Sequence, residues 1–218
     1  MTLGGMDVLY VDKTVRDYVE TVAAREPVPG GGSVASLAGA LGAALTSMVC
    51  VYTAGNPKYA EHEAKVNEIL AQANALRVTL LDLVDKDIAV YSEVTAAYKL
   101  PRTTPEEKAA RQKAIQAGLK IAAATPLAIA KAAREVALLA AELVDIGNPN
   151  LVSDVGVGIL LAEAALRGAA LNVEINAADI KDETTVNELR GFLSEALPEV
   201  AALSAEVMAK TMAKIRKD

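Results

Sequence analysis

Asp87 and Tyr91 stand four residues apart in Leu83-Val84-Asp85-Lys86-Asp87-Ile88-Ala89-Val90-Tyr91, and on a helix that spacing puts both side chains on one face. A carboxylate with restricted hydration has a raised pKa and exchanges protons near neutrality, so Asp87, with Asp82 and Asp85 close by, is a candidate base. The same pattern also fits a carboxylate paired with a surface Lys. Asp154, beside Ser153 at the head of a nearly uncharged run, is a second candidate; its plainer reading is a helix N-cap. Asn148, Asn150, Asn172 and Asn176 are plentiful for so apolar a region. Buried amides need partners, and a heterocycle with donor and acceptor edges is one possibility.

Other chemistries lack their residues. His62 is the only histidine and sits among Glu61, Glu63 and Lys65, a solvated setting, so proton transfer near neutrality falls to another residue type. One His and one Cys make no zinc cluster of the usual N/S kind, so no metal site is expected. No Gly-x-Ser-x-Gly elbow and no Walker loop are present.

These residues depend on a turn and a helix. Pro27-Val28-Pro29-Gly30-Gly31-Gly32-Ser33-Val34 leads into a run to Thr53, and no charged residue occurs between Glu26 and Lys58. The prolines bring the chain in extended, and the glycines remove every Cβ from the turn, so a backbone can approach a ligand closely. Ser33 stands where an N-cap is expected, with free N–H groups suited to an anionic or electron-rich group. A tight connection with no ligand is the plainer alternative. The run is long enough to span a bilayer, but its many Gly and Ala residues suit a close-packing helix better, so no membrane role is expected.

Apolar spacing then predicts an amphipathic helix over Asp12 to Ala24, with Val15, Tyr18, Val19 and Val22 on one face. Ala54-Gly55-Asn56-Pro57 reads as stop and restart, followed by a long helix from Lys58 to Lys99. Thr104-Pro105-Glu106-Glu107 is a capping box opening a helix to about Ala124, which Thr125-Pro126 breaks or kinks before it resumes to Ile146. After the turn Gly147-Asn148-Pro149-Asn150, a helix is expected over Val155 to Asn176, then a last one from Asp182–Thr185, interrupted near Pro198. The reading is all-α: residues 1–218 as a single domain, a bundle of long helices with two buried central helices whose starts, Ser33 and Ser153-Asp154, could face each other across a cleft. With one Phe and no Trp among 218 residues, Ala, Leu, Val and Ile must fill the core. A net charge of −6 argues against nucleic acid as partner. One cysteine and a start, Met1 to Asp12, without a basic and apolar leader point to the cytoplasm.

The turn Pro27 to Val34 with Gly39-Ala40-Leu41-Gly42-Ala43-Ala44-Leu45, Asp87 with Tyr91, Leu100-Pro101, Asn148-Pro149-Asn150-Leu151-Val152-Ser153-Asp154 and Leu171-Asn172-Val173-Glu174-Ile175-Asn176 together resemble the cyclodeaminase/cyclohydrolase family, which includes the C-terminal domain of formiminotransferase-cyclodeaminase. The length and the segment Leu100 to Arg111 look more like its stand-alone methenyltetrahydrofolate cyclohydrolases. One departure from the pattern is the lack of an Asn in Val51-Tyr52-Thr53. The resemblance implies an all-α homodimer that takes a tetrahydrofolate one-carbon adduct as substrate, with no tightly bound cofactor. It implies hydrolysis of 5,10-methenyltetrahydrofolate, with Asp87 or Asp154 as proton acceptor and the other carboxylate balancing the cation. Pro29, Gly30, Gly31, Gly32, Ser33, Tyr91, Asn148, Asn150, Ser153, Asn172 and Asn176 would line the substrate. Cyclodeamination of the 5-formimidoyl adduct, or folate binding without turnover, are the alternatives.

Overall fold

The computed structural model describes residues 9–217, so most of the start read for a leader lies outside it. Six α-helices follow one another: α1 Val15–Ala23, α2 Gly31–Val51, α3 Glu63–Tyr98, α4 Pro105–Ile146, α5 Val152–Ala177 and α6 Glu183–Arg216, with 3₁₀ turns at Tyr10–Asp12, Pro57–His62 and Pro149–Leu151. No strand occurs among the described residues. The all-α bundle expected from periodicity is the fold.

Side chains satisfy orphan N–H groups at three of the six α-helix starts, as the sequence signals. Thr14 caps α1 by accepting from the Asp17 N–H. Thr104 and Glu107 form the reciprocal capping box of α4. Asp182 accepts from Thr184 and Thr185 at the head of α6. Asn56 caps the 3₁₀ turn rather than a long helix; Tyr59 there has φ −120° and ψ 16°, so α3 begins only at Glu63.

Two expected caps are interior residues instead. Gly30 holds the N-cap of α2, and Ser33 lies inside its first turn with its side chain fully buried. Leu151 precedes α5, and Ser153 and Asp154 lie inside that helix's first turn. Gly31 and Gly32 precede Ser33 in α2, and Val152 precedes Ser153 in α5, so each helix starts earlier than its first hydroxyl.

Pro126 does not break α4, which runs 42 residues. Proline removes one N–H, leaving the Ala122 carbonyl without its helical donor. The Asn176 Nδ2 donates to that oxygen from α5 at 3.4 Å. Pro198 likewise sits inside a continuous α6.

α2 and α5 are the two core helices expected, and they lie antiparallel. Gly31 lies beside Asn172, Ala35 beside Gly168 and Gly42 beside Gly158. A Cβ on Gly42 would fall 2.9 Å from the Gly158 carbonyl, so the crossing needs glycine. Ala123, Ala130, Ala133, Ala162, Ala165 and Ala169 fill the layers with α4 at no measurable exposure. Small side chains replace aromatic bulk, and the axes close up accordingly.

Burial of these two helices is one-sided. Val34, Leu41 and Val51 of α2, Tyr52 at its C-cap, and Val157, Leu160, Leu171 and Ile175 of α5 remain exposed. Their helical spacing, with the antiparallel pairing, puts them on one side of the α2/α5 pair. Beside the start of that face, Val15, Val19 and Val22 of α1 are also open.

Candidate active site: a cleft at the glycine turn

A cleft of about 470 Å³ opens where α2 starts. Its walls come from the turn (Pro27, Val28, Gly30, Gly31, Gly32), from α3 (Asp87, Val90, Tyr91, Val94, Thr95, Tyr98), from Leu119 and Ala122 of α4, and from Asn172, Ile175, Asn176 and Asp179 at the end of α5. Each wall has a local cause. Packing of α2 on α3 is fixed by the buried Ser36, whose hydroxyl donates to the Leu80 carbonyl at 2.5 Å. Two helical turns further along α3, Asp87 meets the start of α2.

Asp87 lies against bare backbone. A Cβ on Gly32 would come within 2.6 Å of its Oδ2 and 2.7 Å of its Cγ. Burial raises the Asp87 pKa above the ordinary aspartate value, and the Ser33 backbone N–H, donating to the carboxylate, opposes part of that rise. Behind this contact the Ser33 hydroxyl shares a buried 2.9 Å hydrogen bond with the Tyr18 hydroxyl. Ser33 therefore holds Asp87 from behind; its side chain does not line the cleft, nor does buried Pro29. The two neighbouring carboxylates separate from Asp87: Asp82 is exposed, and Asp85 accepts the Tyr10 N–H at 2.6 Å, pinning the first 3₁₀ turn onto α3.

On the opposite wall the Asn172 Nδ2 donates to the Gly168 carbonyl at 2.8 Å, and the Asn176 Nδ2 to the Asn172 carbonyl at 2.7 Å. Both amides thus spend their donors on helix carbonyls, and their Oδ1 atoms remain acceptors for a ligand. Tyr91 is half exposed at the mouth. Asp87 and Asp179 are the charged lining residues, and no Lys or Arg lines the cleft among the described residues. Such a cleft suits a flat, cationic heterocycle that carries donors. Lys131, which lies over the Phe192 ring, and Arg134, which is paired with Glu199 and Glu135, stand on α4 outside it.

The remaining candidates form a second cluster at the far end of α5. The Asn148 backbone N–H donates to Thr53 Oγ1 at 2.9 Å, and its Nδ2 donates to the Tyr52 carbonyl at 3.2 Å. Thr53 therefore makes a polar contact in the segment Val51-Tyr52-Thr53. The Asn150 N–H donates to Asn148 Oδ1, Ser153 is exposed, and Asp154 is half buried. Asp154 accepts no hydrogen bond and pairs with no cation among the described residues. It lies eighteen residues before Asn172 on α5, roughly 27 Å at the α-helical rise. The two helix starts thus do not face each other within one chain, because α2 and α5 run antiparallel.

Sequence reasoning missed Tyr18, Val94, Tyr98, Leu119, Ala122 and Asp179. The spacing of Tyr98 from Tyr91 along α3 was a usable signal; the α4 residues carried none, being indistinguishable from core.

His62 is partly exposed, 3.5 Å from Glu61. Cys50 is buried and burial pushes its thiol up to about 12, so it is no nucleophile. α2 is long and apolar enough to cross a membrane, yet its buried face carries Ser33, Ser36, Thr46 and Ser47, each hydrogen-bonded inside the bundle.

Known proteins share this architecture. Residues 14–195 match the formiminotransferase-cyclodeaminase family. A methenyltetrahydrofolate cyclohydrolase of Methylorubrum extorquens is 44% identical over 189 residues, covering 85% of this chain and 91% of that protein. The formimidoyltransferase-cyclodeaminase of Rattus norvegicus is 35% identical over 198 residues, 91% of this chain but 37% of the longer rat protein. The crystal structure of a formiminotetrahydrofolate cyclodeaminase from Thermotoga maritima superposes with a TM-score of 0.77 at 29% identity, covering 94% of this chain and 97% of that one. The matched stretch contains the glycine turn, Asp87, both Asn clusters and Asp154, and the chain belongs to the formiminotransferase-cyclodeaminase family.

Proposed function

We propose that this protein hydrolyses 5,10-methenyltetrahydrofolate to 10-formyltetrahydrofolate. The observation that carries the reading is Asp87, a carboxylate of raised pKa set against bare backbone in a cleft without lining cations. The similarity to the Methylorubrum extorquens enzyme over nearly its full length supports the same substrate.

The methenyl carbon between N5 and N10 belongs to an amidinium cation and is already electrophilic. Asp87 removes a proton from a water as its oxygen adds to that carbon, giving a tetrahedral adduct. The C–N5 bond then breaks, N5 takes up a proton and the adduct's hydroxyl gives up its own, leaving a formyl group on N10. One proton is released overall. The Asp87 charge also offsets the substrate cation on binding. Gly30 to Gly32 let the heterocycle lie against backbone, and Asn172 and Asn176 offer Oδ1 acceptors to its donor edge. Tyr91 closes the mouth. The folate is substrate, and no resident cofactor takes part.

Cyclodeamination is the second reading, favoured by the likeness to the Thermotoga maritima structure. There N10 attacks the formimidoyl carbon and ammonia leaves, through a similar tetrahedral carbon. Loss of the methenyl chromophore on mixing substrate with protein supports hydrolysis, ammonia release from 5-formimidoyltetrahydrofolate supports deamination, and binding with neither marks a folate-binding protein. The working form is a cytoplasmic homodimer; the open apolar face of α2 and α5 and the single buried cysteine support it.

A further inference from the structure

We propose that Asp179 is a second substrate-binding carboxylate of the cleft: it accepts the amino and ring N–H donors on the pyrimidine edge of the folate, and Gln116 on α4 is the positioning residue that holds it there. The inference rests on the folate reading of the cleft, and its closing experiment separates the two.

Asp179 follows the last turn of α5 without leaving its face. The Ala178 N–H donates to the Glu174 carbonyl at 3.0 Å, the Asp179 N–H to the Asn176 carbonyl at 3.3 Å and the Ile180 N–H to the Ala177 carbonyl at 3.2 Å, so the helical course continues past Ala177. Asn172, Asn176 and Asp179 therefore fall at i, i+4 and i+7, on the side that walls the cleft. Side chains of α4 fasten this segment. The Gln116 Nε2 donates to the Asp179 carbonyl and its Oε1 accepts the Lys181 N–H, both at 2.8 Å. Lys120, one turn on, pairs with Asp182, and buried Ile180 anchors the segment to the core. The main chain of Asp179 is thus fixed, while its carboxylate accepts no hydrogen bond and pairs with no cation among the described residues.

The wall so formed is uniform in kind. Asn172 and Asn176 spend their Nδ2 donors on main-chain carbonyls and keep Oδ1 as acceptor, so with Asp179 they make three acceptors along one face. That row selects a ligand edge made of donors. On a reduced folate this is the pyrimidine edge, whose 2-amino group and ring N–H match the two oxygens of one carboxylate. Position agrees with chemistry. Asn172 stands at the Asp87 end, because a Cβ on Gly31 would fall 3.5 Å from its Nδ2 while the next residue, Gly32, abuts Asp87. Asp179 is seven residues further on, roughly 10 Å at the helical rise. The 2-amino group lies across the bicyclic ring from the methenyl carbon, about 7 Å away through bonds of about 1.4 Å, and a hydrogen bond adds about 3 Å. With the methenyl carbon beside Asp87, the donor edge reaches Asp179. A carboxylate at that distance holds the ring rather than balancing the amidinium charge.

Two probes decide the point: 5,10-methenyltetrahydrofolate, cationic at its bridge, and tetrahydrofolate, which has the same pyrimidine edge without that charge. Asp179 is exposed, so Asp179→Ala leaves the fold intact. Binding is titrated in the Asp87→Asn chain, which is expected to hold the first probe with little turnover. Adding Asp179→Ala there should weaken both probes by a similar factor, about 20-fold or more. With Asp87 present, Asp179→Ala should raise KM for methenyl hydrolysis and leave kcat within about threefold. Gln116→Ala should show the same split at about threefold in KM and add almost nothing to Asp179→Ala. A loss confined to the methenyl cation, or unchanged affinity for both probes, overturns the proposal. An equal Gln116→Ala loss in both backgrounds overturns its positioning role. A wild type that binds both probes without opening the methenyl ring overturns the hydrolytic reading alone, and the affinities still decide the place of Asp179. A wild type that binds neither probe overturns both.

Discussion

A side chain at Gly32 and the carboxylate of Asp87 in its present position clash: a Cβ there falls 2.6 Å from Oδ2 and 2.7 Å from Cγ. At the start of α2, bare backbone meets this acid. Gly32→Ala should therefore fold, with Asp87 displaced, and lose about 100-fold in turnover, the usual cost of moving a catalytic group by about 1 Å. Gly31→Ala meets only Asn172 Nδ2 at 3.5 Å and Gly30→Ala meets nothing within 4 Å. Steady-state kinetics on the three variants should show that order.

The pH dependence follows from the burial of Asp87. Its folded pKa is raised, so its protonated form is the one favoured by folding. The contribution to stability is fully present below the ordinary aspartate range and is lost as pH rises through the raised folded value. Asp87→Asn should accordingly raise Tm at pH 7 and lose that advantage in acid, measured by thermal melts across pH. Hydrolysis by the wild type should fall on the acid side with a midpoint above the ordinary aspartate value.

Tyr18 is tied to the Asp87 neighbourhood through Ser33, by a buried 2.9 Å hydroxyl pair. Tyr18→Phe removes one partner of that pair and should cost about 1 kcal/mol in chemical denaturation. A Ser33→Ala variant should behave similarly, and the double variant should cost less than the two added together.

Asn176 and Pro126 are coupled through the Ala122 carbonyl. Pro126→Ala restores the helical N–H to that oxygen, so Asn176→Ala should destabilise the Pro126→Ala chain less than the wild type, by about 0.5 kcal/mol. Equal costs in the two backgrounds would show that the 3.4 Å contact carries no energy.

Much of this was legible in the chain. Thr104-Pro105-Glu106-Glu107 opens α4 as a capping box because the reciprocal bonds are local. The uncharged run after the glycines had to be a packing helix, since so many small apolar residues suit nothing else in an all-α chain. Helix starts were less legible: Ser33 lies inside α2 with its hydroxyl bonded to Tyr18, and Ser153-Asp154 lie inside α5, which begins at Val152 straight after a 3₁₀ turn. The Ala122 carbonyl that Pro126 leaves without a helical donor is met by Asn176, fifty residues away, which no local rule reads. The separation of Asp87 from Asp154 was hidden for the same reason, as it follows from the antiparallel course of α2 and α5.

The central claim is that Asp87 takes the proton from the attacking water. Hydrolysis of 5,10-methenyltetrahydrofolate, followed by loss of the methenyl absorbance with purified wild type and Asp87→Asn of matched circular dichroism, tests it most directly. The expected result is rapid loss with the wild type and at least a 100-fold slower rate with the variant. A variant that hydrolyses the substrate at a near-normal rate contradicts the account.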